Sequence, residues 1–363
     1  MYATSEPQTI PDTFTNGLSL PWRRSIFWIV LTSALAIMFI FELTIGSIHI
    51  PVAQILNSLI GVKTERESWP VIIWTLRMPR ALTAMTAGAA LAAGGLILQT
   101  LFRNPLAGPW VLGIPAGARL GVALVLVLEG KAAVSFLNTV VRIGDLSLTA
   151  GACLGATGIL LLIALISQRV NAVTLLIVGL MFQYLSPSLS GMLLHLVTDD
   201  QYRAYQSWAG SEFGSTTWSG LQILLPSVAV CLLAALLLSK ALNSLLLGEE
   251  YARSAGTSVP FTRGVALAAM IGLSGIVTAY CGTISFLDLA VPHLCRGILR
   301  TSNHRVLMPA VILTGALIGL TADFLVHLPL KRHILHIDYV TALIGAPVIL
   351  WLVLRDKSMR IAA

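Results

Sequence analysis

Four ionisable side chains lie within or beside apolar stretches of this sequence: Arg119, Asp288 and Asp323 deep within them, and Glu42 near the end of one. A charge costs free energy in an apolar medium, so such residues mark candidate proton or ion relays, pathway linings or ion pairs. Three or four are few for a carrier driven by an ion gradient, which needs more of a relay. The sequence also lacks a G-x-x-x-x-G-K-[ST] phosphate loop, an H-E-x-x-H zinc helix and a G-x-S-x-G nucleophile elbow. The chain therefore has no familiar means of hydrolysing a nucleotide, and if ATP drives it a partner holds the ATPase. Cys153, Cys231, Cys281 and Cys295 form no C-x-x-C pair and sit in apolar surroundings. They read as small buried residues and not as metal ligands.

The elements that position these groups follow from composition. Of 363 residues, 56% are hydrophobic and 11% charged, where soluble domains carry roughly a quarter charged residues. A bilayer offers no water to backbone N–H and C=O groups, so spanning segments must be helices of about 20 apolar residues. Ten are expected, near 25–46, 79–101, 110–128, 147–167, 173–197, 220–239, 262–281, 284–299, 306–327 and 339–355. The formal charge of +7 is spread singly between apolar runs, which suits an anionic membrane face and not nucleic acid. With both termini inside, the inner connections hold 13 of the 23 Lys and Arg residues, the outer ones hold nine, and Arg119 is the remaining one. Gly113, Gly117 and Gly121, then Gly151 and Gly155, then Gly315 and Gly319 recur every fourth residue. Such faces let helix backbones approach closely in lipid, for tight packing or for a surface that moves.

Two polar interruptions stand out. LFRNPLAGPWVLG, residues 101–113, places Arg103, Asn104, Pro105, Gly108 and Pro109 between two apolar helices, as a turn held at the inner face. LNSLLLGEEYARSAGTSVPFTR, residues 242–263, has Gly248-Glu249-Glu250, Gly256 and Pro260. It reads as a short helix flanked by turns, with both acids near its N-terminal end, in an amphipathic inner connector.

Four ordered stretches carry a family resemblance: LRMPRALTAMTAGAALAAGGLILQTLFRNPLAGPWVLG, LLLGEEYARSAGTSV, GTISFLDLAVPHLCRGILRTSNHRVLMP and VTALIGAPVILWLVLR. Together they resemble the FecCD-type permease subunits of type II ABC importers for iron-siderophore, haem and cobalamin, over about residues 25–357. The resemblance implies an all-α, ten-helix membrane domain over 25–357, containing a cytoplasmic coupling loop at 240–262, between tails 1–24 and 358–363. It further implies a bacterial inner-membrane protein with both termini cytoplasmic and a second permease subunit, identical or paired. The other partners implied are two ATPase subunits carrying ATP and magnesium, and a periplasmic or lipoprotein binding protein, with no cofactor on this chain.

Residue by residue, Gly248, Glu249, Glu250, Ala252 and Gly256 match the coupling region. Arg77 and Arg80, in R-x-P-R, match basic residues that pair with carboxylates of the binding protein. Asn104 and Leu106 fall at the inner gate. Pro292 and His293 form V-P-H, where the proline is expected to break a helix and the histidine to bond freed backbone groups. The chain also departs from the family pattern. His336 stands where Pro is expected, Asp338 where Gly is expected, and His327 where a docking Arg is frequent, with Lys331 and Arg332 as substitutes nearby. His327, His333 and His336 are solvated loop residues or contacts for an iron chelate or the binding protein. Arg119 replaces a small residue and either lines the pathway opposite an anionic chelate or pairs with an acid such as Asp288. The expected function is ATP-driven import of a ferric siderophore by alternating access, with haem or cobalamin as the alternative cargo and an ion-coupled secondary transporter as the alternative class.

Overall fold

The computed structural model describes residues 21–129, 144–166, 170, 172–328 and 336–355, apart from positions 45, 47 and 211. The described residues are helical without strands. In order they form α1 (Pro21–Thr44), α2 (Val52–Leu59), α3 (Ser68–Ile72), a π-helical turn (Ile73–Arg77) and α4 (Met78–Leu101). Then come α5 (Ile114–Glu129), α6 (Gly144–Ile166), α7 (Ala172–Leu194), α8 (Asp199–Ala209), α9 (Trp218–Leu237) and α10 (Ser239–Leu246). The last five are α11 (Glu249–Ser254), α12 (Val259–Cys281), α13 (Leu287–Leu299), α14 (His304–Val326) and α15 (Ile337–Arg355). Each of the ten expected apolar segments is a helix. Lys331, Arg332, His333 and most of the two tails lie outside the described residues.

Helices α3 and α4 run on through the π-turn as one 34-residue rod, 83% buried over its most apolar stretch, whereas the corresponding stretch of α1 is 17% buried. The rod is therefore the centre of the bundle, and α1 lies at its edge. Pro79 in the sequence suggests a helix start, yet the helix begins at Ser68. The wider π-turn before Pro79 tolerates the hydrogen bond that proline cannot donate. Buried Trp69 and Ile73 hold the extension against the core.

Glycine faces set the closest approaches. A Cβ on Gly88 of α4 would collide with the Gly315 carbonyl of α14, and one on Gly121 of α5 with the Gly151 carbonyl of α6. Lipid gives no hydrophobic drive between helices, so this backbone contact is what holds them.

Helix α13 has 13 residues. At 1.5 Å per residue it covers about 20 Å, too little to span a hydrocarbon core of about 30 Å. It follows a break in which Gly282 and Phe286 have positive φ (72° and 68°). The expected break at Pro292 is not found, because α13 runs straight through it. The carbonyl that loses its donor there is that of Asp288, and Gln99 of α4 approaches it through Nε2 at 3.4 Å. Helix α8 has a polar face and a capping box, Thr198 with Gln201. It folds back from the end of α7, tied to α5 by Gln201 Nε2 donating to the Leu126 carbonyl (3.1 Å). Trp208 Nε1 ties it to α12 by donating to the Ala279 carbonyl (2.9 Å).

Gly88→Val should destabilise the bundle by about 1–3 kcal/mol through overpacking. Gly158→Val, where nothing lies within 4 Å of the added carbon, should not. Thermal unfolding of the purified protein checks the pair, and equal unfolding temperatures would contradict the packing.

Candidate functional site

At one end of the bundle, α10 and α11 form a compact surface. Gly248, at φ 126°, reverses the chain between them, and Gly256, at φ 79°, ends α11. Both conformations are strained for any side chain, which explains the bracketing glycines. Ala252 is fully buried and pins α11 down. Glu249 is held by Arg263 (2.6 Å) and Arg253 (3.6 Å), while Glu250 is exposed. Leu247, Tyr251 and Phe261 are exposed beside it, 68%, 53% and 69% respectively. An open hollow of about 480 Å³ runs from Arg103 across Leu247, Gly248 and Glu249 to Tyr251.

The turn at 102–113 is fastened to this surface. Arg103, itself at φ 45°, donates from Nε to the Leu245 carbonyl at the end of α10 (3.2 Å). Asn104 folds the turn on itself, its Oδ1 accepting from Leu106 N–H (2.8 Å), and Leu106 is exposed. Deeper in, Trp110 N–H donates to Asp288 Oδ2 (3.2 Å) and the Trp110 ring stacks on Phe286 (6.0 Å). Asp288 is thus spent on the turn and not on Arg119. Gln99 accepts from Arg296 Nη1 (2.6 Å). A second link buries His304 at the start of α14. Its Nδ1 donates to Asn243 Oδ1 of α10 (2.8 Å), and its Nε2 meets the Thr100 hydroxyl of α4 (2.7 Å). The carbonyl acceptors fix Nδ1 as the donor nitrogen on both His304 and His293, which bonds the Leu289 carbonyl at 2.8 Å. His293 therefore steadies α13 through a carbonyl one residue beyond the one that Pro292 frees.

The far end, reached along the 23 residues of α12, holds Arg77 and Arg80. Neither offers its guanidinium outward. Arg77 is 4% exposed and donates to the Leu43 carbonyl (2.6 Å) and to that of Ile48. Arg80 lies between Glu42 (2.6 Å) and Asp323 (3.0 Å), both buried, and His327 Nδ1 donates to the Asp323 carbonyl (2.9 Å). The four residues join α1, α4 and α14. In this arrangement Arg77, Arg80 and His327 fasten the far end of the bundle, and Arg80 supplies the charge that two buried carboxylates need.

Also toward the far end, a cavity of about 280 Å³ opens between α5, α8 and α15, lined by Arg119, Tyr205, Gln206, His336, Asp338 and Tyr339 among others. Arg119 donates to the Thr283 hydroxyl and makes no ion pair among the described residues. Asp338 accepts from Ser285 N–H (3.0 Å), and His336 donates from Nδ1 to the Gly210 carbonyl. Burial pushes the Tyr205 phenol above its ordinary range, with the Arg119 charge pulling the other way. Sequence reasoning missed Gln99, Thr100, Asn243 and His304, polar residues with no motif of their own. It also missed the left-handed conformation of Phe286, where nothing suggests a positive φ.

The profile of the FecCD transport family matches residues 34–355. The chain belongs to this family. A vitamin B12 import system permease protein of Serratia proteamaculans is 35% identical over 335 residues, covering 92% of this chain and 93% of that protein. A hemin transport system permease protein of Yersinia pestis is 33% identical over 306 residues, covering 84% and 89%. Among solved structures, an inward-facing metal-chelate type ABC transporter superposes with a TM-score of 0.75 at 27% identity, covering 92% of this chain and all of that one. FecCD membership makes this a multi-pass membrane permease of the ABC importer class. The short α13 and the fastened turn are therefore features of a transport bundle.

Arg80→Met should cost this FecCD bundle about 3–5 kcal/mol, because two buried carboxylates lose their counter-charge. Adding Glu42→Gln and Asp323→Asn should recover part of the loss. Full stability of Arg80→Met in denaturant unfolding would return Arg80 to a surface role.

Proposed function

We propose that this chain is the membrane subunit of an ATP-driven importer that carries a ferric siderophore into the cytoplasm by alternating access. Two copies, or this chain and a paired one, would enclose the pathway. Two ATPase subunits, carrying ATP and magnesium, would dock on the α11 end. A binding protein would deliver cargo at the far end, so both termini and the 102–113 turn face the cytoplasm. The observation that carries this reading is the α10–α11 surface: exposed Leu247, Glu250, Tyr251 and Phe261 around a rigid short helix. An apolar centre with a charged rim suits a protein partner. Arg103 and His304 tie the same surface to α4 and α14, so a push there moves packed helices and not a loose loop.

With Arg77 and Arg80 turned inward, the contact with the binding protein falls to the described basic residues exposed at the far end, Lys63, Arg66 and Arg203. The metal-chelate description of the solved relative is compatible with a ferric chelate and equally with haem or cobalamin, which are metal chelates themselves. Similarity to the vitamin B12 and hemin permeases favours a second reading, in which the same machine moves cobalamin or haem. Competition among labelled ferric chelate, cobalamin and haem for uptake separates the two.

Replacing Glu249 and Glu250 by Ala should weaken ATPase association by about tenfold or more, equivalent to about 1.4 kcal/mol, and lower uptake with it. The bundle itself should stay folded, since both side chains reach the surface. Co-purification with the ATPase and uptake by proteoliposomes check this, and unchanged values in both would remove the coupling assignment.

A further inference from the structure

The cavity between α5, α8 and α15 has features that packing alone does not require. Arg119 rises from an apolar helix, and its buried Nε has no acceptor among the described residues. Among the described residues its hydrogen bond goes to a neutral hydroxyl, that of Thr283. Asp338, the acid that shares the cavity, makes no ion pair with Arg119 among the described residues, and its Oδ1 accepts from both the N–H and the hydroxyl of Ser285. A partly desolvated guanidinium without a counter-ion is unfavourable unless an anion arrives. His336, on the cavity wall, is pinned through Nδ1 to the Gly210 carbonyl. Arg119, His336 and Asp338 all line this one cavity.

We infer that this cavity is a subsite for a carboxylate-type oxygen anion carried by the cargo, with the Arg119 guanidinium as its contact. A planar fork suits two oxygens at once, and Tyr205 and Tyr339 flank the space with rings and hydroxyls. A volume of about 280 Å³ lies just below the roughly 300–1,000 Å³ of sites that enclose a drug-sized ligand. It accepts one anionic arm of a chelate and leaves the rest in the wider pathway. Cargo bearing free carboxylates is thereby favoured over neutral chelates. The inference rests on the importer reading, and its test is separable from it.

The test uses the assembled transporter in lipid nanodiscs, with citrate alone as the probe. Citrate should raise the unfolding temperature saturably in the wild type, keep part of that effect in Arg119→Lys and lose it in Arg119→Gln. No shift in the wild type, or an equal shift in Arg119→Gln, overturns the subsite. If the Gln variant does not fold, Gln206→Cys at the cavity rim gives a second measurement. An anionic thiosulfonate should modify it several-fold faster than a cationic one, and citrate should slow the reaction; equal rates overturn the subsite. ATP-driven uptake of ferric chelate without any citrate effect overturns the subsite and leaves the importer. An Arg119-dependent citrate effect without ATP-driven uptake of any cargo upholds the subsite and removes the importer reading.

Discussion

The backbone contact of α4 with its neighbours is the constraint on which the other features depend. Gly88 meets the Gly315 carbonyl of α14, and Gly95 meets the Asp288 carbonyl of α13, each too closely for a side chain. A helix locked at two points along its length behaves as a rod, since packed interiors do not deform continuously. The rod is extended to 34 residues by the π-turn, so it reaches both ends of the bundle. Arg77 and Arg80 fasten its far end to α1 and α14, while Gln99 and Thr100 engage α13 and α14 at the other.

Charge placement follows from this arrangement. Buried carboxylates at Glu42 and Asp323 are tolerable because Arg80 lies between them, and Asp288 because Trp110 N–H caps it. Contacts run continuously from the α10–α11 surface through Arg103 to the turn, from Trp110 to Phe286 and Asp288, and from Ser285 to Asp338 beside the far-end cavity. Continuity alone is not coupling, which requires elements with two stable arrangements. Helix α13 is the natural candidate for such an element. It is short and preceded by a backbone break.

Much of this was legible in the sequence, for identifiable reasons. Length and apolarity betray spanning helices because the bilayer leaves the backbone no alternative. The Gly315 and Gly121 faces showed because their spacing repeats, and α11 because positive-φ glycines bracket it. What escaped depends on partners distant along the chain. Arg80 belongs to an outward-facing motif by resemblance, yet Glu42 and Asp323, remote in sequence, turn it inward. Pro79 looks like a helix start and Pro292 like a helix break, but a π-turn and Gln99 accommodate them. The polar helix α8 carried its signal in Thr198-Asp199-Asp200-Gln201, a capping box obscured by its lack of apolar character.

The central claim is that ATP hydrolysed by a separate subunit, and not an ion gradient, moves cargo through this bundle. Proteoliposomes containing this chain with its ATPase and binding protein decide it, loaded with ATP or given an imposed proton gradient alone. Uptake of labelled ferric chelate, cobalamin or haem that requires ATP, the ATPase and the binding protein, with none on the gradient, is the expected result. Uptake on the proton gradient by this chain without an ATPase would contradict it.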